Sequence, residues 1–310
     1  MREQSLNFRT TNISRLFKHN WQLYILLLPS LVILIIFMYV PMYGVVIAFK
    51  DYNAKLGIMG SPWVGLKYFQ QFFSTSIAKT TIVNTFALGF LTLLFSFPIP
   101  IIFALLLNQL RSDGFRRFVQ TASYAPYFIS NVVVVSIMAV ILAPSSGFVN
   151  HIIVSLGGQP KLFMSRPEYF RPLYVISGIW QTMGFNAIIY LAALTAVSPE
   201  YHEAAVVDGA SKLQRIIHID IPMIMPTVAI MFIITVGNVL NIGYEKVYLM
   251  QNGMNLAVSE VISTYVYKTG LLSAQYSFAT AVGLFNSVVN FMLLIVANTV
   301  TRKMADISIF

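Results

Sequence analysis

Residues Glu203 to Pro222 read EAAVVDGASKLQRIIHIDIP. This is a polar island of about 20 residues between two long apolar runs, too short for a domain and too patterned for a simple connector. Just upstream, Ser198 has the chemistry of an N-cap, and Pro199 suits the first helical position. Gly209 can supply a left-handed stop about three turns later. Ser211 and Gln214 stand at capping-box spacing for a second short helix, expected to end near Ile219 before Pro222 opens the next apolar run. Two helices joined at a glycine make a rigid elbow over residues 198–222. A helical hairpin linker is the plainer interpretation, and the capping pattern fits both.

The flanks of the island set the class of protein. Of 310 residues, 57% are hydrophobic and 10% charged, and the mean hydropathy is +0.73; soluble domains carry about 25% charged residues. The apolar runs are continuous and long enough to cross a bilayer as helices, whereas barrel strands alternate apolar and polar residues. The chain is therefore expected to be all-α, a single membrane domain over residues 22–300 with short ends, 1–21 and 301–310. The net charge of +9 does not point to nucleic acid, because the basic residues cluster at the ends of apolar runs. Orientation and anionic membrane lipid account for them better. With no cysteine, disulfides, thiolate metal sites and cysteine nucleophiles are excluded.

Six spans are expected. The first runs from Gln22 to Ala48, longer than a signal-peptide core and without an A-x-A site; Pro29 and Pro41 would kink it or mark its ends. A turn-rich, aromatic segment follows to about Thr81. The second span covers Ile82 to Asn108, interrupted by FPIP at 97–100, and the third covers Phe118 to Ala143. After an outer segment, 144–172, comes the fourth span, Leu173 to Val197. The elbow leads into a fifth span from Met223 to Met250 and, past a short helical piece near Ser259 to Lys268, a sixth from Tyr276 to Val300. Six spans put both termini on one side, with 11 Lys and Arg there against 9 opposite. The positions decide more than the totals: Arg111, Arg116 and Arg117 and the N-terminal Arg2, Arg9, Arg15 and Lys18 lie close to span ends, where the positive-inside bias acts. Both termini and the elbow are expected in the cytoplasm.

Glu203-Ala204-Ala205, three residues, Gly209, nine residues, then Ile219-Asp220-Ile221-Pro222 resemble the EAA loop of the membrane subunits of binding-protein-dependent ABC importers. That pattern ends I-x-L-P, with Ile221 here in place of Leu. Similarity to LplB-like permeases, a branch associated with complex carbohydrate uptake, extends over most of the chain through NWQLYILLLPS, VPMYGVVIAFKDYN, GSPWVGLKYF, YAPYFIS, IIYLAAL and TYVYKTG. The resemblance implies a bacterial plasma-membrane complex. Its further parts would be a second, homologous permease chain, two copies of a cytoplasmic ATPase carrying ATP and Mg, and an extracellular solute-binding lipoprotein that delivers an oligosaccharide or polysaccharide fragment. It also implies that the first elbow helix enters a cleft on the ATPase, with Glu203 as polar contact, Ala204 and Ala205 allowing close approach and Gly209 forming the bend. Asp208, Ile219 and Pro222 complete the coupling set.

The chemistry absent from the chain agrees with this. No G-x-x-x-x-G-K-[ST] occurs, so the chain is expected to cradle no nucleotide phosphates and to borrow its energy, with no cofactor of its own. An ion-coupled carrier is the alternative energy source, but among ionisable residues only Glu245 and Lys246 fall inside the expected spans, near an outer end where an interface pair or gate element is the expected role. A membrane enzyme would need paired carboxylates, a metal cluster or an activated nucleophile. Glu200, Glu203, Asp208 and His202 share the elbow but lack a facing ligand geometry, so neither a catalytic nor a metal site is expected. For a substrate path, amides and aromatic rings are the groups that hold sugars. Asn131 in the third span, Trp180, Gln181, Asn186 and Tyr190 in the fourth, and Asn238, Asn241 and Tyr244 in the fifth are the candidates. The competing role for each polar one is hydrogen bonding between helices, as expected for Asn84, Asn286 and Asn290.

Overall fold

The computed structural model describes residues 21–305. The expectations for Arg2, Arg9, Arg15, Lys18 and the tail beyond Ala305 therefore fall outside the described residues. Within them every element is a helix, joined by turns and loops, and the one β feature is an isolated bridge between Lys50 and Trp63. Five helices are long and apolar enough to cross a membrane, or six if one bent pair is taken as a single span.

Helix α1, Trp21–Phe49, contains both expected prolines without ending at either. A wide turn over Ile35–Tyr39, in which the Val40 N–H reaches the Ile35 carbonyl, precedes Pro41. An i→i+5 turn moves the preceding carbonyls away from the proline ring, which would otherwise press on the carbonyl four residues back. Helix α2, Ser76–Asn108, likewise carries FPIP with a brief interruption at Phe97 rather than a stop.

The third span differs from expectation. Instead of one helix from Phe118 to Ala143, α3 (Asp113–Phe128) and α4 (Asn131–Ile141) meet at 101°. Pro126 offers no amide to continue the ladder, and Ile129 and Ser130 are extended. The Ser130 hydroxyl then accepts from the Val133 N–H and starts the new helix. The free Ile129 carbonyl accepts from Gln181 Nε2 at 2.8 Å.

Helix α5, Pro167–Thr195, is the central post, packing against α2, α3 and the later helices. Gly184 lies so close to α3 that a Cβ there would collide with the Ser123 carbonyl. Past Thr195 the chain forms α6, Pro199–Val207, and then α7, Lys212–Gly237. The second elbow helix does not end near Ile219, as expected, but runs on into the span. The reason repeats α1: a wide turn over Ile216–Asp220, with the Ile221 N–H on the Ile216 carbonyl, makes room for Pro222.

The fifth span also breaks. Helix α7 ends at Gly237, tight turns carry the chain to Gly243, and α8, Tyr244–Met250, starts afresh. The last helix, α10 (Tyr276–Ala305), follows α9 (Ile262–Tyr267) and supports this break with two amides. Asn290 accepts from the Leu240 N–H at 3.1 Å and donates to Asn241 Oδ1 at 2.9 Å, and Asn286 donates to the Leu240 carbonyl at 3.4 Å. In a low-dielectric interior, unwound backbone survives only when its polar groups are satisfied in this way.

Three apolar clusters hold the bundle together. One joins α2, α4, α5 and α8 through Leu88, Val135, Phe170 and Val247; a second joins α2, α5 and α7 through Ala104, Tyr190, Leu194 and Ile224. The third joins Phe72 to α2, α9 and α10 through Ala78, Ile262 and Phe278. None of these reaches the first two-thirds of α1, where no residue from Trp21 to Met42 is buried.

Candidate functional site

A cavity of about 540 Å³ opens between α2, α5 and the break that follows α7. One face of α5 supplies Tyr174, Gly178, Thr182, Asn186 and Tyr190, four residues apart, with Gln181 on its flank three residues past Gly178. Helix α2 adds Thr92 and Ser96, and the break adds Asn238 and Asn241. The break reaches the cavity because Gly89 on α2 lets it: a Cβ there would strike the Val239 carbonyl.

Of the eight residues expected along a substrate path, the structure brings Asn131, Gln181, Asn186, Tyr190, Asn238 and Asn241 to this cavity. Trp180 is 44% exposed and Tyr244 46%, and neither borders it. Trp180 is two residues from both Gly178 and Thr182, about 200° around the helix from the lining face, and so faces outward. Tyr244 stacks on Tyr267 with ring centroids 4.8 Å apart. Several lining amides also hold structure. Gln181 serves the α3–α4 bend, Asn238 bonds back to the Ile234 carbonyl at 3.0 Å, and Asn241 bonds Asn238 and Asn290. Asn186 and Tyr190 are lining residues of a different kind, standing on regular helix. Asn84, expected to pack helices, donates to the carbonyls of Ala257 and Glu260.

Glu245 and Lys246, expected to be an interface pair or gate element, meet different surroundings. Glu245 accepts from Asn131 Nδ2 at 2.6 Å, whereas Lys246 turns into the bundle, 7% exposed, and borders the cavity. A pattern read as one continuous span hides this reversal, because α8 begins a new helix with its own phase.

At the opposite end of α5 and α7 lies the polar island. Ser198 accepts from the Glu200 N–H, Gly209 adopts φ 81°, and Ser211 and Gln214 form a reciprocal capping box. These are the local features their spacing predicts. Helix α6 has no buried residue. Glu203, Ala204, Asp208 and Pro222 sit on or near the surface of this unit, with Ala205 and Ile219 half-buried. Among the exposed side chains Tyr201, Val206, Val207, Leu213 and Ile217 are apolar, Val207 by 88% of its surface. A feature the motif did not flag is Asp220, fully buried at the root of α7. His202 of α6 lies 3.2 Å from its Oδ1, and Gln109 at the end of α2 donates to its Oδ2 at 3.2 Å. One carboxylate thus joins the exposed helix to two spans. The signal in the sequence was an acid flanked by Ile219 and Ile221 within IIHIDIP.

The architecture is that of a polytopic membrane protein with a cavity between its spans. Comparison with known proteins narrows this. Residues 96–306 match the family described as binding-protein-dependent transport system inner membrane component, and the chain belongs to that family. It is 44% identical over 288 residues, 93% of this chain and 90% of the relative, to the polygalacturonan/rhamnogalacturonan transport system permease protein YteP of Bacillus subtilis (strain 168). Against protein LplB of the same organism it is 43% identical over 293 residues, 94% of this chain and 92% of that one. Among solved structures it matches a chain of a bacterial ABC transporter involved in the import of the acidic polysaccharide alginate. The TM-score is 0.87 at 39% identity, covering 94% of this chain and 99% of the other.

Proposed function

We propose that this chain is the permease subunit of an ATP-driven importer of oligosaccharides or polysaccharide fragments, forming half of a translocation path. Its partners are a second, homologous permease, two copies of an ATPase that holds ATP and Mg, and a solute-binding lipoprotein on the outer face. The relatives are named for transport of polygalacturonan/rhamnogalacturonan and of alginate, and a structural neighbour was solved with an alginate pentasaccharide-bound periplasmic protein. The observation that carries the coupling role is the α6–Gly209–α7 unit. It exposes apolar side chains that soluble surfaces seldom gather, and Asp220 roots it in two spans. Glu203, Ala204 and Ala205 would meet the ATPase, and because packed elements shift as units, movement of α6 would be carried to α7 and α2. Both termini and this unit are assigned to the cytoplasm.

The test is reconstitution in liposomes with the partner permease, ATPase and binding protein. ATP-dependent accumulation of oligosaccharide is expected. Uptake that persists without ATP and follows an imposed proton or sodium gradient would sink the reading.

A further inference from the structure

The cavity has one full charge on its wall, and it stands where an unpaired charge is most costly. Lys246 is the only Asp, Glu, Lys, Arg or His among the residues lining the cavity. Its Nζ lies 3.5 Å from the Tyr174 carbonyl oxygen, 5.1 Å from the centroid of the Tyr174 ring, and 3.6 Å from where a Cβ on Gly178 would stand. Among the described residues no carboxylate comes within the 4.0 Å of an ion pair. The neighbouring Glu245 is not among the residues lining the cavity and accepts from Asn131, which is. An ammonium group has three donors, and one carbonyl at the limit of hydrogen-bond reach with one ring face leaves it under-satisfied. Around it stand neutral groups suited to sugar hydroxyls: Gln181, Thr182 and Asn186 on α5, Asn238 and Asn241 on the break.

We propose that Lys246 is a specificity-determining residue that selects acidic saccharides, pairing with the carboxylate of a uronic-acid unit as it passes through the cavity. The ligand brings the anion that the protein withholds. A carboxylate on the wall would satisfy Lys246 permanently and repel such a chain; neutral amides leave the cation available while addressing the hydroxyls. The proposal rests on the importer reading above and deepens it to a substrate class. A purely structural Lys246, tying α8 to α5 through the Tyr174 carbonyl, would serve neutral and acidic sugars alike.

The two are separated by uptake in liposomes holding the complete importer and its binding protein. The probes are tetragalacturonate or an alginate tetrasaccharide, each also in carboxyl-reduced form, where every carboxylate has become CH2OH. Lys246→Gln is expected to lower uptake of the acidic probe at limiting concentration by roughly 10- to 100-fold, the usual worth of one charged hydrogen bond. Uptake of a reduced probe should change far less, stimulation of the ATPase by the binding protein should persist, and Lys246→Arg should restore most acidic uptake. Wild-type rates for the acidic probe in Lys246→Gln would overturn the proposal. So would an equal loss for both forms, or a wild-type importer that moves only the neutral form. A wild-type complex that moves no saccharide of either kind would overturn the importer reading itself, and the proposal with it.

Discussion

At the residue scale, Gly209 and Asp220 have separable roles. Gly209 sits at φ 81°, and a Cβ placed on it would meet nothing within 4 Å, so the obstacle to substitution is backbone conformation and not space. Valine there is strained by about 1–3 kcal/mol. Because α6 buries nothing, that strain should move α6 more than it unfolds the bundle. Gly209→Val is thus expected to assemble with its partners but to hydrolyse ATP without importing sugar. Normal transport by this variant in liposomes would count against the coupling role. Asp220→Ala strips Gln109 and His202 of their buried partner, and an unsatisfied buried group costs about 1–3 kcal/mol. Its expected phenotype is a lower unfolding midpoint in detergent together with weaker coupling of ATPase to uptake; an unchanged midpoint would show that the carboxylate holds nothing. The glycine was legible, since left-handed stops announce themselves by residue type. The aspartate was only half legible, because its two partners are 18 and 111 positions distant in sequence.

At the scale of elements, the two breaks position the cavity. The α3–α4 bend brings Asn131 inward, and the α7–α8 break brings Asn238 and Asn241 there. Their i, i+3 spacing suggests one helical face, yet the chain is unwound at that point, and they meet the cavity because it is unwound. Hydropathy does not reveal such a break: GNVLNIGY is apolar enough to pass for span, and what opens it is an external supply of hydrogen bonds from Asn286 and Asn290 on α10. Asn290→Ala should therefore destabilise the protein by about 1–3 kcal/mol, through the orphaned Leu240 N–H, read as a drop in unfolding midpoint. Gly89→Leu tests the approach of α2 to the break. Overpacking against the Val239 carbonyl should cost about 1–3 kcal/mol and reduce uptake, with ATPase binding retained in co-purification. Wild-type uptake in this variant would mean that the approach is not needed.

For the whole molecule, α1 stands apart, with no residue from Trp21 to Met42 buried. It is anchored at its far end, where Tyr43–Phe49 packs on α10 and Ala48 is fully buried; the rest of its apolar surface is left to lipid or another chain. Orientation can be tested cleanly because the chain has no cysteine. In intact cells, a membrane-impermeant thiol reagent is expected to label Gln159→Cys in the outer segment, an exposed position, and to leave Ser211→Cys untouched until the membrane is broken. The reverse pattern would invert the topology. Composition and short-range pattern were enough for the all-helical membrane class, most span positions and the capped helix pair at Gly209, since each depends on residue type or on neighbours within a turn or two. The folded chain was needed to show where spans break, that Lys246 faces the cavity while Glu245 turns to Asn131, and that Asp220 ties α6 to α2. Those outcomes depend on hydrogen-bond partners far away in the chain, and in an interior without water a polar group's place is set by whichever partner can reach it.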